Sequence, residues 1–201
     1  MNFTIDPKVQ AERIAEIFKS FFSGGEIGSF VNGEVITGTG AELHLIDPAS
    51  GQVFVSFKDA DQSVIDAAMD SAARAQKEWM ALTASARGRV MNEIARRIRE
   101  HAPLIAEIES RSAGRPIRDI GGEATRVAEM FEYYAGWCDK LYGDVIPVPS
   151  THFNYTRHEP IGIVSQITPW NAPLFTGGWQ IAPAICAGNA VVIKPSELTP
   201  L

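Results

Sequence analysis

Two short polar runs carry the side chains best suited to chemistry: Thr168-Pro169-Trp170-Asn171-Ala172-Pro173 and Lys194-Pro195-Ser196-Glu197. Each follows an apolar run that reads as a buried strand, Ile161–Ile167 and Ala190–Ile193. In an open α/β sheet, ligands bind outside the carboxyl ends of the strands. A carboxylate ending the second strand is where dinucleotide folds hold ribose hydroxyls, and Lys194 could donate to the same sugar. Asn171, set between prolines in a rigid loop, is suited to offer its side-chain amide to a ligand. Two plainer readings stay open: Lys194 and Glu197 solvating a strand end, and Asn171 closing its own turn on the backbone. No G-x-G-x-x-G run follows Ile167, so the common phosphate-binding turn is missing.

The elements around these runs must bring them together. Pro173 to Ala187 can form a helix with proline in its first turn, ended by Gly188 in a left-handed position. Strand, helix and strand over about 34 residues make the βαβ unit of a parallel sheet. If its strands are adjacent, both polar runs share one rim. Residues 160–193 carry no charged side chain and are long enough to span a bilayer. Pro169, Asn171, Pro173, Gly177, Gly178, Pro183, Gly188 and Asn189 interrupt them, which fits a buried βαβ better than a spanning helix.

Upstream, Pro7 to about Phe22 has helical apolar spacing, and Phe30–Ile36 is a hairpin turning at Asn32-Gly33. Strands are expected at Leu43–Ile46 and Val53–Phe57. Asp61 can cap a helix whose face is Val64, Ala68, Ala72, Ala75 and Trp79. Further helices are expected at Ser85–His101, Pro103–Ala113 and Gly122–Tyr142, the last with the stripe Val127, Met130, Phe131, Tyr134 and Leu141. Thr151–His158 reads as a polar, exposed strand. Arg96, Arg97 and Arg99 read as a solvated helix face, and Glu107, Glu109 and Arg111 as surface pairing.

The 201 residues include 18 basic and 24 acidic side chains, a net charge of −6, with 45% hydrophobic residues. That composition is globular, and its acidity argues against nucleic-acid or anionic-membrane partners, which need clustered positive charge. The charged N-terminus lacks the apolar core of a signal peptide. Cys138 and Cys186 cannot build a disulfide framework or a tetrathiolate zinc site, so a reducing, cytoplasmic location is the default. His152 and His158 lack a third ligand, so no metal is expected.

At the level of motifs, the chain closely resembles the NAD(P)-dependent aldehyde dehydrogenase superfamily. The carrying residues are Pro160-Ile161-Gly162-Ile163-Val164, Thr168-Pro169-Trp170-Asn171-Ala172-Pro173-Leu174, Ala182-Pro183-Ala184, Gly188-Asn189 and Lys194-Pro195-Ser196-Glu197-Leu198-Thr199-Pro200. Earlier segments agree: Val31-Asn32-Gly33-Glu34, Asp47-Pro48-Ala49-Ser50-Gly51, Gly114-Arg115-Pro116-Ile117 and Tyr133-Tyr134-Ala135-Gly136-Trp137.

The resemblance implies an α/β chain with an atypical Rossmann cofactor domain. Residues 1–142 would be the helical region, 143–160 part of the oligomerisation strands, and 161–201 the first βαβ of the cofactor domain. It implies that Asn171 stabilises the oxyanion when a thiolate attacks the aldehyde. Ile167, Thr168, Pro169 and Trp170 would line the cofactor, and Lys194, Pro195, Ser196 and Glu197 would hold the adenosine ribose. A carboxylate there repels a 2′-phosphate, favouring NAD over NADP. The residue after the asparagine is aromatic in many relatives and is Ala172 here. With Thr176 and Trp179 it would border an aldehyde tunnel roomy enough for a bulky, aromatic or cyclic substrate.

The family's nucleophilic cysteine, general-base glutamate and phosphate turn would lie beyond residue 201. The chain therefore reads as an N-terminal portion, inactive alone, of a homodimer or homotetramer. Cys138 and Cys186 read as buried structural residues rather than nucleophiles. An acylating relative that makes acyl-CoA or acyl phosphate would share much of this half. A short, non-catalytic product that binds nucleotide or a partner subunit is the remaining alternative.

Overall fold

A computed structural model describes residues 6–21 and 26–201. Residues 1–5, and Phe22 where the first helix is expected to end, lie outside the described residues. Helix α1 (Pro7–Phe21) buries Ile14 and Ile17. Strands β1 (Ser29–Val31) and β2 (Glu34–Ile36) pair antiparallel with Val31 opposite Glu34. The two-residue turn places Asn32 at φ 52° and Gly33 at φ 85°, the paired positive angles that match strand twist. Strands β3 (Glu42–Ile46) and β4 (Val53–Lys58) form a second antiparallel pair whose Leu45 and Phe54 pack with Ile14.

Helix α2 (Gln62–Ala81) starts at Asp61, whose carboxylate accepts from the N–H groups of Ser63 and Val64. Thr39 donates to the same carboxylate through its N–H and hydroxyl, so one side chain both caps the helix and ties the preceding loop to it. Helix α3 (Ala84–Ala113) runs 30 residues, α4 (Ile117–Ile120) is a single turn, and α5 (Glu123–Ala135) returns along α3. The pairing is close because Gly88 has no side chain: a Cβ there would sit 2.9 Å from the Ala135 carbonyl oxygen.

Strands β5 (Val145–Ile146) and β6 (Asn154–Tyr155) form a small exposed hairpin. Strand β7 (Ile163–Ile167), helix α6 (Pro173–Cys186) and strand β8 (Ala190–Lys194) make the parallel βαβ. The main core joins α3, α5 and α6 through Met91, Ala95, Val127, Ala128, Phe131 and Ala182, with Trp79 of α2 against it.

Several expectations need correction. Ser85–His101 and Pro103–Ala113 are one helix, because Pro103 lies on the exposed face, where the carbonyl four residues back can turn to water. The helix expected to reach Tyr142 ends at Ala135: Gly136 and Trp137 donate to Tyr133 and Tyr134 in a tightened last turn. Leu141 is therefore exposed rather than on the stripe. Ala75 is exposed too. The strand expected over Thr151–His158 is paired only at Asn154–Tyr155, since its partner β5 is two residues long. Strand β7 is not fully buried: α2 and α6 pack on the pair, but Ser165 and Ile167 stay exposed. Glu109, expected at the surface, is 3% exposed.

Candidate functional site

The register of the parallel pair decides the site. Ile163 lies opposite Ala190 and Ile167 opposite Lys194, so both strands reach the same rim. One more backbone bond, Thr168 N–H to the Lys194 carbonyl at 3.2 Å, continues the ladder into the loops. Beyond it, the Thr199 hydroxyl donates to the Trp170 carbonyl at 3.0 Å and joins the two polar runs directly.

Within the first run, Thr168 is buried, while Ile167, Pro169, Trp170 and Asn171 are exposed. The Asn171 amide makes no hydrogen bond among the described residues, so it does not close its own turn. Ala172 and Thr176 are half-buried, joined by Thr176 N–H to the Ala172 carbonyl at 3.0 Å. Trp179 stands two turns further on, about 10 Å along the axis from Ala172. It is exposed and packs edge-to-face on Phe175 at 5.4 Å, so it is not drawn into the rim.

In the second run, Lys194 and Glu197 are exposed and pair at 3.7 Å. The Glu197 carboxyl is held below its ordinary range first by its own backbone N–H and then, against some desolvation, by Lys194. Pro195 and Ser196 are half-buried, and Ser196 shapes the turn by accepting from the N–H groups of Leu198 and Thr199. A cleft of about 150 Å³ opens beside the rim, lined by Trp170, Leu198 and Thr199 together with His44, Ile46 and Ser112.

Neither cysteine reaches this rim. Cys186 closes α6, about 20 Å along the helix from Pro173. Burial, then neighbouring Cys138, pushes its thiol up to about 12. Cys138 is buried against Met91, with sulfur to sulfur at 3.5 Å. Thiols so placed are packing groups, not nucleophiles.

Two buried polar residues escape the sequence reading, Thr199 at the rim and Glu109 on α3. Thr199 is 2% exposed and fastens the loops, a role that nothing in its local pattern signals. Glu109 does carry a signal: it continues the α3 stripe Met91, Ala95, Ile98, Ala102 and Ala106 at steps of three or four. Breaking the helix at Pro103 conceals that period.

The family model for the Aldehyde dehydrogenase family matches residues 35–201. The chain is 41% identical over 167 residues to retinal dehydrogenase 2 of Homo sapiens, covering 81% of this chain and 32% of that protein. It is 39% identical over 177 residues to an aldehyde dehydrogenase of Aspergillus niger, covering 87% and 36%. Among solved structures, it is similar to PnpE in complex with nicotinamide adenine dinucleotide (TM-score 0.82, 40% identity, 87% of this chain and 36% of that one). A point mutant of an aldehyde dehydrogenase from Bacillus cereus superposes with a TM-score of 0.84 at 34% identity over 92% of this chain and 38% of that one. The chain thus spans about a third of the length of the curated relatives it matches. Matched by the family model from β2 to its last residue, and sharing the fold of these enzymes, it belongs to the aldehyde dehydrogenase family.

Proposed function

We propose that this chain supplies the cofactor-facing rim and the oxyanion-stabilising amide of an enzyme that oxidises an aldehyde to a carboxylic acid. The observation that carries this reading is the parallel register Ile167–Lys194, which brings the Thr168–Ala172 loop and the Lys194–Glu197 turn to one edge. The donor set fits a nucleotide ribose: the Lys194 ammonium donates, the Glu197 carboxylate accepts, and a vicinal diol does both. When bound, the nicotinamide ring accepts the hydride removed from the substrate.

In this reading the Asn171 amide donates to the aldehyde oxygen as it gains charge, in a rigid loop that needs no rearrangement. The attacking thiolate is neither Cys138 nor Cys186, both buried in the core, and the proposal places it outside these 201 residues with the general base. Glu197 makes the site selective. A second negative charge beside it is repelled, so NAD is the preferred cofactor over NADP.

The experiment is a titration of the native protein with both dinucleotides. The wild type should bind NAD at least about tenfold more tightly than NADP, and Glu197→Gln should weaken NAD while narrowing that ratio. Equal binding of both cofactors by wild type and variant would sink the assignment. Ala172, where a larger side chain would narrow the path, leads us to propose a bulky aldehyde as substrate. A kcat/KM for benzaldehyde above that for acetaldehyde is expected, and the reverse order refutes it.

A further inference from the structure

The segment Pro169–Asn171 hangs between two anchors. Before it, the Thr168 N–H donates to the Lys194 carbonyl at 3.2 Å. After it, α6 takes hold with its first bond, Thr176 N–H to the Ala172 carbonyl. Among the described residues, one hydrogen bond reaches the segment in between, from the Thr199 hydroxyl to the Trp170 carbonyl at 3.0 Å. Pro169, Trp170 and Asn171 are all exposed, so packing contributes little to holding them.

Thr199 is itself well fixed. It is buried, and its N–H donates to the Ser196 carbonyl at 3.2 Å. The Leu198 N–H donates to the Ser196 hydroxyl at 3.2 Å. These two bonds close the turn that carries Glu197, and neither uses the Thr199 hydroxyl. Pro195 and Pro200 follow Lys194 and Thr199 and disfavour helical backbone at both. Branching at Cβ limits the Thr199 side chain to few rotamers, so the hydroxyl is aimed. It is free of any task inside its own turn and is used on the neighbouring loop.

We propose that Thr199 is a positioning residue: through the Trp170 carbonyl, its hydroxyl holds the Asn171 amide at a fixed offset from the turn that carries Lys194 and Glu197. The tie stands on its hydrogen bonds, and its effect on turnover rests on the function proposed above. In that function one aldehyde must meet the amide and the hydride acceptor together, so the offset between the two polar runs is a catalytic distance. A threonine that only filled space would tolerate valine, which matches its shape and donates nothing. A positioning threonine would not.

The test uses the native protein with Thr199→Val and Thr199→Ser, the second keeping the donor. Fluorine NMR of protein grown on 5-fluorotryptophan, with Trp170 assigned through Trp170→Phe, reads the loop without reference to activity. Thr199→Val should shift or broaden the Trp170 resonance and leave Trp79 and Trp137 unmoved, and Thr199→Ser should resemble the wild type. Under the proposed activity, Thr199→Val should lower kcat about tenfold, short of losing the amide itself, with NAD affinity unchanged and most of kcat recovered by Thr199→Ser. In an Asn171→Ala background, Thr199→Val should lower kcat no further, because the group it positions is gone. An unmoved Trp170 resonance in Thr199→Val overturns the proposal. So does an equal loss of kcat in both backgrounds, or a Thr199→Ser no better than Thr199→Val. If Thr199→Val does not fold, Thr199→Ala also lacks the donor and carries the same comparisons. If the resonances behave as expected but the wild type oxidises no aldehyde, the tie stands and the functional reading falls. If the enzyme is active and Thr199→Val changes neither spectrum nor kcat, the tie alone falls.

Discussion

An amide that stabilises a developing oxyanion works by being in place before the charge forms. Asn171 meets that condition: its loop is fixed at one end by the Thr168–Lys194 backbone bond and near its middle by Thr199 on the Trp170 carbonyl. Its own amide is committed to nothing among the described residues. Asn171→Ala should therefore lower kcat by about 10²–10³ while leaving NAD binding and the melting temperature close to wild type. Steady-state kinetics beside a cofactor titration and a thermal melt will check all three. Residue type and spacing make Asn171, Lys194 and Glu197 candidates, and it is the family resemblance that gives them their expected roles. Thr199 owes its role to what lies across from it, a carbonyl 29 positions away. A one-dimensional pattern carries no such information.

Elements in this fold are set by how closely backbones approach. On α6, Gly177 and Gly178 are neighbours in sequence but meet different surroundings. A Cβ at Gly177 would find Ile193 at an ordinary 3.6 Å, whereas one at Gly178 would run into the Val127 side chain. Gly178→Ala should thus destabilise the protein by about 1–3 kcal/mol through overpacking. Gly177→Ala should be neutral or slightly stabilising, since alanine is the better helix former. Adding Val127→Ala to Gly178→Ala should recover part of the loss, and denaturant melts of the four proteins measure each step. The periodicities of α2 and α6 and the Asn32-Gly33 turn are legible because local chemistry enforces them. The continuity of α3 is not. Whether a proline breaks a helix depends on whether the freed carbonyl faces water or core, and only packing decides that.

Across the whole molecule, α1 is fastened to α3 by charge as well as by apolar contact. Arg13 grips Glu107 with two bonds of 2.8 Å, and Arg111 holds the same carboxylate. The hydrogen bond from Arg13, and then that from Arg111, holds the Glu107 carboxyl down to about 2 from an ordinary 4.5. Because folding lowers this pKa, the contribution is complete above pH 4.5 and declines as the pH falls toward 2. Melts between about pH 2 and 5 should show the wild type losing stability more steeply than Glu107→Gln, which has no proton to take up there.

The main core also reaches across the stretch 143–160 that separates the βαβ from the helices before it. Trp79 donates its indole N–H to the Ile185 carbonyl at 2.8 Å, and Gln76 donates to the Gly188 carbonyl at 3.0 Å. Ala182 and Cys186 pack among residues of α3 and α5. A chimera with a junction at that stretch would pair α6 with foreign helices and strip it of its partners. Recombination between members of this family will succeed only where α2, α3 and α5 travel with α6 as one heritable block.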